Sequence, residues 1–476
     1  MKKDNYLMKN EELRMKNCHA DADIDIPHSY KFFIFHSSFF IFMFTLILKT
    51  LWTRRRRNGW LLAELILVAV LSWIIFDPVI VVTYDRYLPL GYDADRLCMV
   101  SVGMLQPQAP GYDAQATDSA SLMQVYLNIV ERARQHPDVE QATPVLSFAY
   151  PGSQGSSTST LMAEGDTVGL DLMYVEFLPH THFFETFGFR PVQGSMTPEE
   201  LSDHTYGGMN VVLSEYAQEA LFHTRVYNKN LRCWMTNETD TVYLPVVVGA
   251  VGTFKYTNDW RPVPVAFEPI LHPDILSSVN DMHVVIRLKE GVSMDRFLHE
   301  FRPWMVRQMR VGNLYARDLQ SYDSINRISE FGTATSLYRR NLSIALFFLV
   351  NLCLGVVGTF WLQTRTRREE VGIMLSYGAT PRRIRLQLMG EGVVLTTVAT
   401  LIGCFLYLQY GLSEGLNKGS AWMTSTMPCW VDHFGLHFAI VSLIIYFILL
   451  VVVLVGIYIP ARRISTIPPT EALRDE

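Results

Sequence analysis

The sequence predicts an integral membrane α-helical protein with four transmembrane helices and a large α+β extracytoplasmic domain inserted between the first and second spans. Three observations predict it. The chain of 476 residues is 49% hydrophobic with a mean hydropathy of +0.14, high for a fully soluble protein. That excess is concentrated in a few blocks, which leave a middle region of ordinary globular composition. Arginines, finally, gather on one side of the blocks.

A helix crossing the hydrocarbon needs about 20 apolar residues, because its backbone polar groups must be satisfied within the segment. Trp60–Val82, Asn341–Leu362, Val393–Leu412 and Leu436–Ile459 qualify, and the last two contain no Asp, Glu, Lys or Arg. Glu64 and Asp77 lie near the two ends of the first, at depths an interface accepts, and the span centres hold no ionisable residue. A further stretch, Phe32–Leu48, is interrupted by His36, Ser37 and Ser38 and reads as interfacial; Met43 is an alternative start of the protein.

Lys and Arg close to a span stay cytoplasmic. Arg54–Arg57, the arginines at 365, 367, 368, 382, 383 and 385, and Arg462 and Arg463 all fall on one side of a four-span chain, against Arg339 and Arg340 on the other. The resulting expectation places both termini in the cytoplasm. In order, the segments are 1–58 cytoplasmic, 59–83 first helix, 84–340 extracytoplasmic domain, 341–363 second helix and 364–392 cytoplasmic coupling segment. Then follow 393–412 third helix, 413–435 short extracytoplasmic loop, 436–459 fourth helix and 460–476 cytoplasmic tail.

Within the exported segment, Leu122, Val125, Tyr126, Ile129, Val130 and Ala133 repeat with helical period, predicting a helix over Ser119–Gln135 that stops at His136-Pro137. A second amphipathic helix is predicted over Met294–Val311. Strands are predicted at Val211–Leu213, Tyr243–Val248 and His283–Leu288, and a loop at Pro151–Thr160.

Catalytic and metal chemistry finds little support. His180 and His182 lack a third ligand at metal spacing, and Pro303 stands where a zinc helix beginning at His299-Glu300 needs its second histidine. Gly152-Ser153-Gln154-Gly155 is no nucleophile elbow. Asn237-Glu238-Thr239 fits the glycosylation sequon. Cys18, Cys98, Cys233, Cys353, Cys404 and Cys429 have no paired spacing, although Cys98 and Cys233 would be free to pair in an oxidising compartment. A net charge of -5 and a pI near 6.2 exclude nucleic acid as an expected partner. No catalytic, cofactor or metal site is assigned, and the chain is not expected to be an enzyme.

The most informative residues run from Thr364 to Ile384. Gly378 sits where a helix ends, Thr380 reads as an N-cap and Pro381 as the first position of a helix entering the third span. Val371, Met374 and Leu375 form an apolar trio at helical spacing. The segment Arg368-Glu369-Glu370-Val371-Gly372-Ile373 with Gly378-Ala379-Thr380 resembles the REIGIxxALGA(T/S) segment of the FtsX-like, MacB-type ABC transporter permease family. Pro460-Ala461-Arg462-Arg463 followed by Pro469-Thr470-Glu471-Ala472-Leu473-Arg474 is similar to that family's PARRAxxxxPxEALR ending. Phe183-Phe184-Glu185-Thr186-Phe187-Gly188-Phe189 with Gly194, Val211–Glu215 and Val248–Lys255 are similar to its periplasmic core domain.

The resemblance implies that the hairpin docks on a separate cytoplasmic ABC ATPase through Glu369, Glu370, Gly372, Met374, Leu375, Gly378, Ala379, Thr380 and Arg382. No GxxxxGK[ST] phosphate loop occurs in the sequence, so ATP and Mg are expected on that partner. A second permease subunit, membrane lipid and a periplasmic adaptor are the other implied partners. Mechanotransmission, in which work is done on a peptide, lipoprotein or small amphiphile outside the inner membrane, is the implied mechanism. The alternative is a regulator that activates a cell-wall hydrolase without transport.

Overall fold

The structure, a computed structural model, describes residues 53, 55–153, 155, 157–207, 210–228, 231–236, 242–329, 334–365, 367–419, 425–466 and 468. The readings on Phe32–Leu48, Met43 and the Asn237 sequon lie outside the described residues, as do Glu471, Ala472, Leu473 and Arg474. The chain forms two compact units. One is built from the described parts of 1–69, 349–405 and 446–476, the other from 70–348 and 406–445.

Helix α1 (Arg55–Tyr87) is the first of the described elements, and its 33 residues outrun the predicted span. In the larger unit, strand β1 (Leu97–Met104), helix α2 (Ser119–Arg134) and strand β2 (Val139–Leu146) form one βαβ element. Asp118 caps α2 by accepting from Ser121 N at 2.9 Å. The helical stripe Leu122, Tyr126, Ile129, Val130 and Ala133 is buried throughout. Next come β3 (Ser157–Ala163), β4 (Leu170–Phe177), α3 (Phe183–Phe187), α4 (Pro198–Asp203), β5 (Asn210–Ser214) and α5 (Glu215–Phe222). They are followed by β6 (Cys233–Thr236), β7 (Val242–Tyr243), β8 (Val246–Val251) and β9 (Val265–Pro269). A second element, β10 (Met282–Leu288), α6 (Met294–Gln308), β11 (Arg310–Val311) and β12 (Leu314–Ser321), completes the domain before α7 (Tyr322–Ser329).

The first sheet has the order β11-β12-β1-β10-β2 with all neighbours antiparallel. Its β12-β1-β10-β2 core is the split βαβ arrangement, and α2 and α6 pack their apolar stripes on it. Between β2 and β10 the chain builds the second sheet, β7-β6-β3-β4-β9-β5-β8, with β4 parallel to β9 and β5 parallel to β8.

Several expectations change here. Ser157–Thr160, predicted as loop, is the start of β3, because hydroxyl side chains alternate outward while the backbone pairs with β4. Tyr243–Val248 is broken into two strands at Leu244-Pro245, since proline has no N–H to give a ladder. The second helix stops at Gln308, and Val311 instead enters a hairpin with Gly312 at φ +54°. Cys98 and Cys233 are both buried and free, on different sheets, so they do not pair.

The Phe183–Phe189 motif is core. Phe183, Phe184, Phe187 and Phe189 pack with Phe177, Phe254 and Phe267, the Phe177 and Phe184 centroids being 4.9 Å apart in an edge contact. Gly188 closes α3 at φ +71°, where a Cβ would lie 2.3 Å from Arg287 Nη1.

Three more long helices follow, α8 (Ala334–Arg365), α10 (Pro381–Glu414) and α11 (Phe434–Ser465), with the short α9 (Arg368–Ser376) between α8 and α10. With α1 they are, among the described residues, the four helices long and apolar enough to cross a membrane. In the smaller unit, glycines let them approach: a Cβ on Gly392 would lie 2.1 Å from Ile457 Cδ1, and one on Gly456 2.9 Å from Val356 Cγ1. Leu354, Leu401 and Val451 stay exposed, an outer surface suited to hydrocarbon rather than water.

Candidate coupling site

Two turns of chemistry build the hairpin between α8 and the body of α10. Glu369 and Glu370 occupy the first turn of α9, where the helix N-terminus favours negative charge. The far end closes as a Schellman motif: Ala379 N donates to Met374 O and Gly378 N to Leu375 O, each at 3.0 Å. Gly378 carries the left-handed turn at φ +88°. Thr380 Oγ1 then accepts from Arg383 N at 3.4 Å, and Pro381 begins α10.

The base is held by charge. Arg367, just before α9, donates from Nη1 to Glu391 Oε2 of α10 at 2.6 Å, and the two side chains are 7% and 6% exposed. A pair this buried is weak evidence for stability but fixes geometry, because either charge left alone would be costly.

The predicted contact residues divide by exposure. Glu369, Gly378, Thr380 and Arg382 are exposed; Glu370, Met374, Leu375 and Ala379 are half-buried; Gly372 is buried beside Val371. Two apolar side chains on the surface complete the face, Ile373 and Tyr377, one helical turn apart, with Tyr377 89% exposed. Their i, i+4 spacing is the signal that sequence reasoning passed over. In the tail motif, Pro460 and Ala461 are buried within α11, while Arg462 and Arg463 are exposed and Arg463 lies 5.1 Å over the Trp361 ring. Such a face sets exposed apolar side chains beside charged ones.

A second set of polar residues lies in the larger unit. His437 of α11 contacts Asp77 of α1 at 2.7 Å through Nε2 and donates to Val431 O at 3.1 Å through Nδ1. Since a carbonyl only accepts, Nδ1 is the donor of that bond, which turns Nε2 to Asp77. Both groups are buried. Elsewhere, His182 binds Glu185 at 2.7 Å in a left-handed turn shared with His180.

These features define a multi-pass membrane protein with an α+β domain between its first two spans and a short helical hairpin between its second and third. The MacB-like periplasmic core domain family matches residues 80–303, and the FtsX-like permease C-terminal family matches residues 342–469. The chain belongs to the FtsX-like, MacB-type family of ABC transporter permeases. It is 26% identical over 227 residues to the macrolide export ATP-binding/permease protein MacB 2 of Aeromonas hydrophila, covering 46% of this chain and 31% of that protein. It is 31% identical over 134 residues to the uncharacterized ABC transporter permease YknZ of Bacillus subtilis, covering 28% of this chain and 30% of that one. The chain thus matches less than a third of either relative's length. The crystal structure of the periplasmic region of MacB from Actinobacillus actinomycetemcomitans covers 51% of this chain and 96% of that one, at 12% identity and a TM-score of 0.27.

Proposed function

We propose that this chain is the permease subunit of a bacterial inner-membrane ABC machine, worked by a separate cytoplasmic ATPase that carries the ATP and Mg and grips the α9–α10 hairpin. One observation carries the reading. The hairpin ends in an exposed Tyr377 and Ile373, its base is clamped by Arg367 and Glu391, and its second arm is the start of one unbroken 34-residue helix. A push on the tip is therefore carried along α10 rather than absorbed in a loop. The work is mechanotransmission, delivered to the exported domain by a pair of permease subunits and used to export or release a peptide, lipoprotein or small amphiphile.

The pairing of the buried ionisable groups favours this over a polar tunnel. A charge at the bilayer centre costs ~2.5–3.5 kcal/mol on insertion scales and persists where it has a use. The span centres hold no such residue, and Asp77, near the end of its span, is taken up by His437 rather than turned to a passing substrate.

Affinity purification of the full chain from its own membranes tests the reading. An ABC ATPase should be recovered with the wild type, and Tyr377→Glu should lower that recovery about tenfold or more, as for loss of an interface anchor. Absence of an ATPase, or equal recovery with both chains, would overturn it.

A further inference from the structure

Arg261 lies between β8 and β9, outside any helix or strand, yet its side chain is 2% exposed. A guanidinium buried this far needs acceptors for its N–H groups and a counter-charge. It finds both in segments remote in sequence. Nη1 donates to Asp432 Oδ2 at 2.7 Å, Cys429 Sγ at 3.1 Å and Met427 O at 3.4 Å; Nη2 donates to Lys418 O at 2.8 Å. Nε stands 3.6 Å from Asp85 Oδ1 in the last turn of α1.

Neighbouring bonds run between the same segments. Met427 N donates to Pro262 O at 2.8 Å, and Tyr216 OH donates to Thr426 O at 2.7 Å. Lys255, fully buried, donates from Nζ to Asp85 O at 2.8 Å and Leu88 O at 3.4 Å, capping the end of α1. Asn417 N donates to Asp77 Oδ2 of α1 at 3.2 Å.

The importance of this junction is topological. Chain order joins the exported domain covalently to α1 and α8 alone; among the described residues the segment connecting α10 and α11 bonds to that domain directly, beside the His437–Asp77 contact of α11 with α1. We propose that Arg261 is the positioning residue that hands the motion of α10 and α11 to the exported domain, by locking their connecting segment to that domain and to the end of α1. The inference rests on the mechanotransmission reading above. Apolar packing resists a push but slides under a pull or shear; short directional bonds from one guanidinium to Asp432, Lys418 and Met427 resist both. Asp85 enforces the arrangement, since its carboxylate oxygens are buried without a hydrogen-bond partner and have the Arg261 charge beside them.

Hydrogen exchange on the full chain in nanodiscs, alone and assembled with its ATPase, tests the proposal. Arg261→Met keeps side-chain length and removes the charge and donors. Amides of 425–433 should then exchange on the order of tenfold faster, while those of β1 and β10 keep their protection. In the assembled complex, Arg261→Met should hydrolyse ATP within about twofold of the wild type but lose the nucleotide-driven change in exchange of the exported domain, and Arg261→Lys should restore part of it. A nucleotide-driven change that survives intact in Arg261→Met overturns the role of Arg261 and leaves the wider reading standing. A wild type with no such change overturns the wider reading, and this inference with it. Should Arg261→Met fail to fold, Asp432→Asn, whose side chain is one-third exposed, carries the same expectation in milder form.

Discussion

Gly378 was legible because its left-handed turn needs glycine and a Thr-Pro pair follows it; the φ of +88° and the Schellman bonds are what that pattern demands. The Arg367–Glu391 clamp and the Arg261 junction were not, since their partners are brought together by tertiary packing and no spacing announces them. His283 on β10 was read only as the start of a strand. Burial, with the Arg317 guanidinium second, pushes its imidazole down to about 4 from 6.5, and its Nδ1 is buried without a partner. The folded state thus holds the neutral ring while the unfolded chain protonates near 6.5. Stability from this site is complete above that value and is lost as pH falls toward 4, by about 1.4 kcal/mol per pH unit and roughly 3 kcal/mol in all. Denaturant unfolding of the full chain at pH 7, 5 and 4 should show His283→Gln losing less stability to acid than the wild type; parallel curves would refute the assignment.

At the scale of elements, a helical stripe and a β-branched run were readable in the sequence, and a strand offering neither was missed. The α2 stripe and β10 stand where the pattern put them, whereas β1, with Cys98, Val100 and Val102 facing one core and Leu97 and Met99 the other, shows no alternation to read. Helix contact inside the membrane-type bundle is equally silent in sequence, because Gly392 and Gly456 look like two more small residues among many. A methyl group at Gly392 would collide with Ile457 Cδ1 at 2.1 Å and press on Val453 Cγ1 at 3.4 Å. Ile457 Cδ1 is the far end of its side chain and can turn aside, so Gly392→Ala should destabilise the α10–α11 pair by about 1 kcal/mol, the low end of overpacking costs. Ile457→Val removes the colliding methyl, so Gly392→Ala with Ile457→Val should recover part of the loss in thermal unfolding of the purified chain. Simple additivity of the two changes would show that the glycine is not there for close approach.

For the whole molecule, the question is whether a clamp that fixes geometry also carries function. Arg367 and Glu391 face each other at 2.6 Å with almost no exposure, so removing one charge strands the other, and Arg367→Met or Glu391→Leu alone should cost about 3–5 kcal/mol. Replacing both leaves neither charge unpaired, and two apolar side chains of similar size suit that site well enough for stability to return near the wild-type value. If the pair served stability alone, the double variant would work as the wild type does. If it sets the angle at which the hairpin meets α10, the double variant folds and binds the proposed ATPase, yet that ATPase turns over without moving the exported domain. Measuring unfolding, ATP hydrolysis and the nucleotide-driven exchange of the exported domain on the four members of the cycle separates the two cases. The expected signature is restored stability with hydrolysis and motion uncoupled; full coupling in the double variant would reduce the clamp to packing.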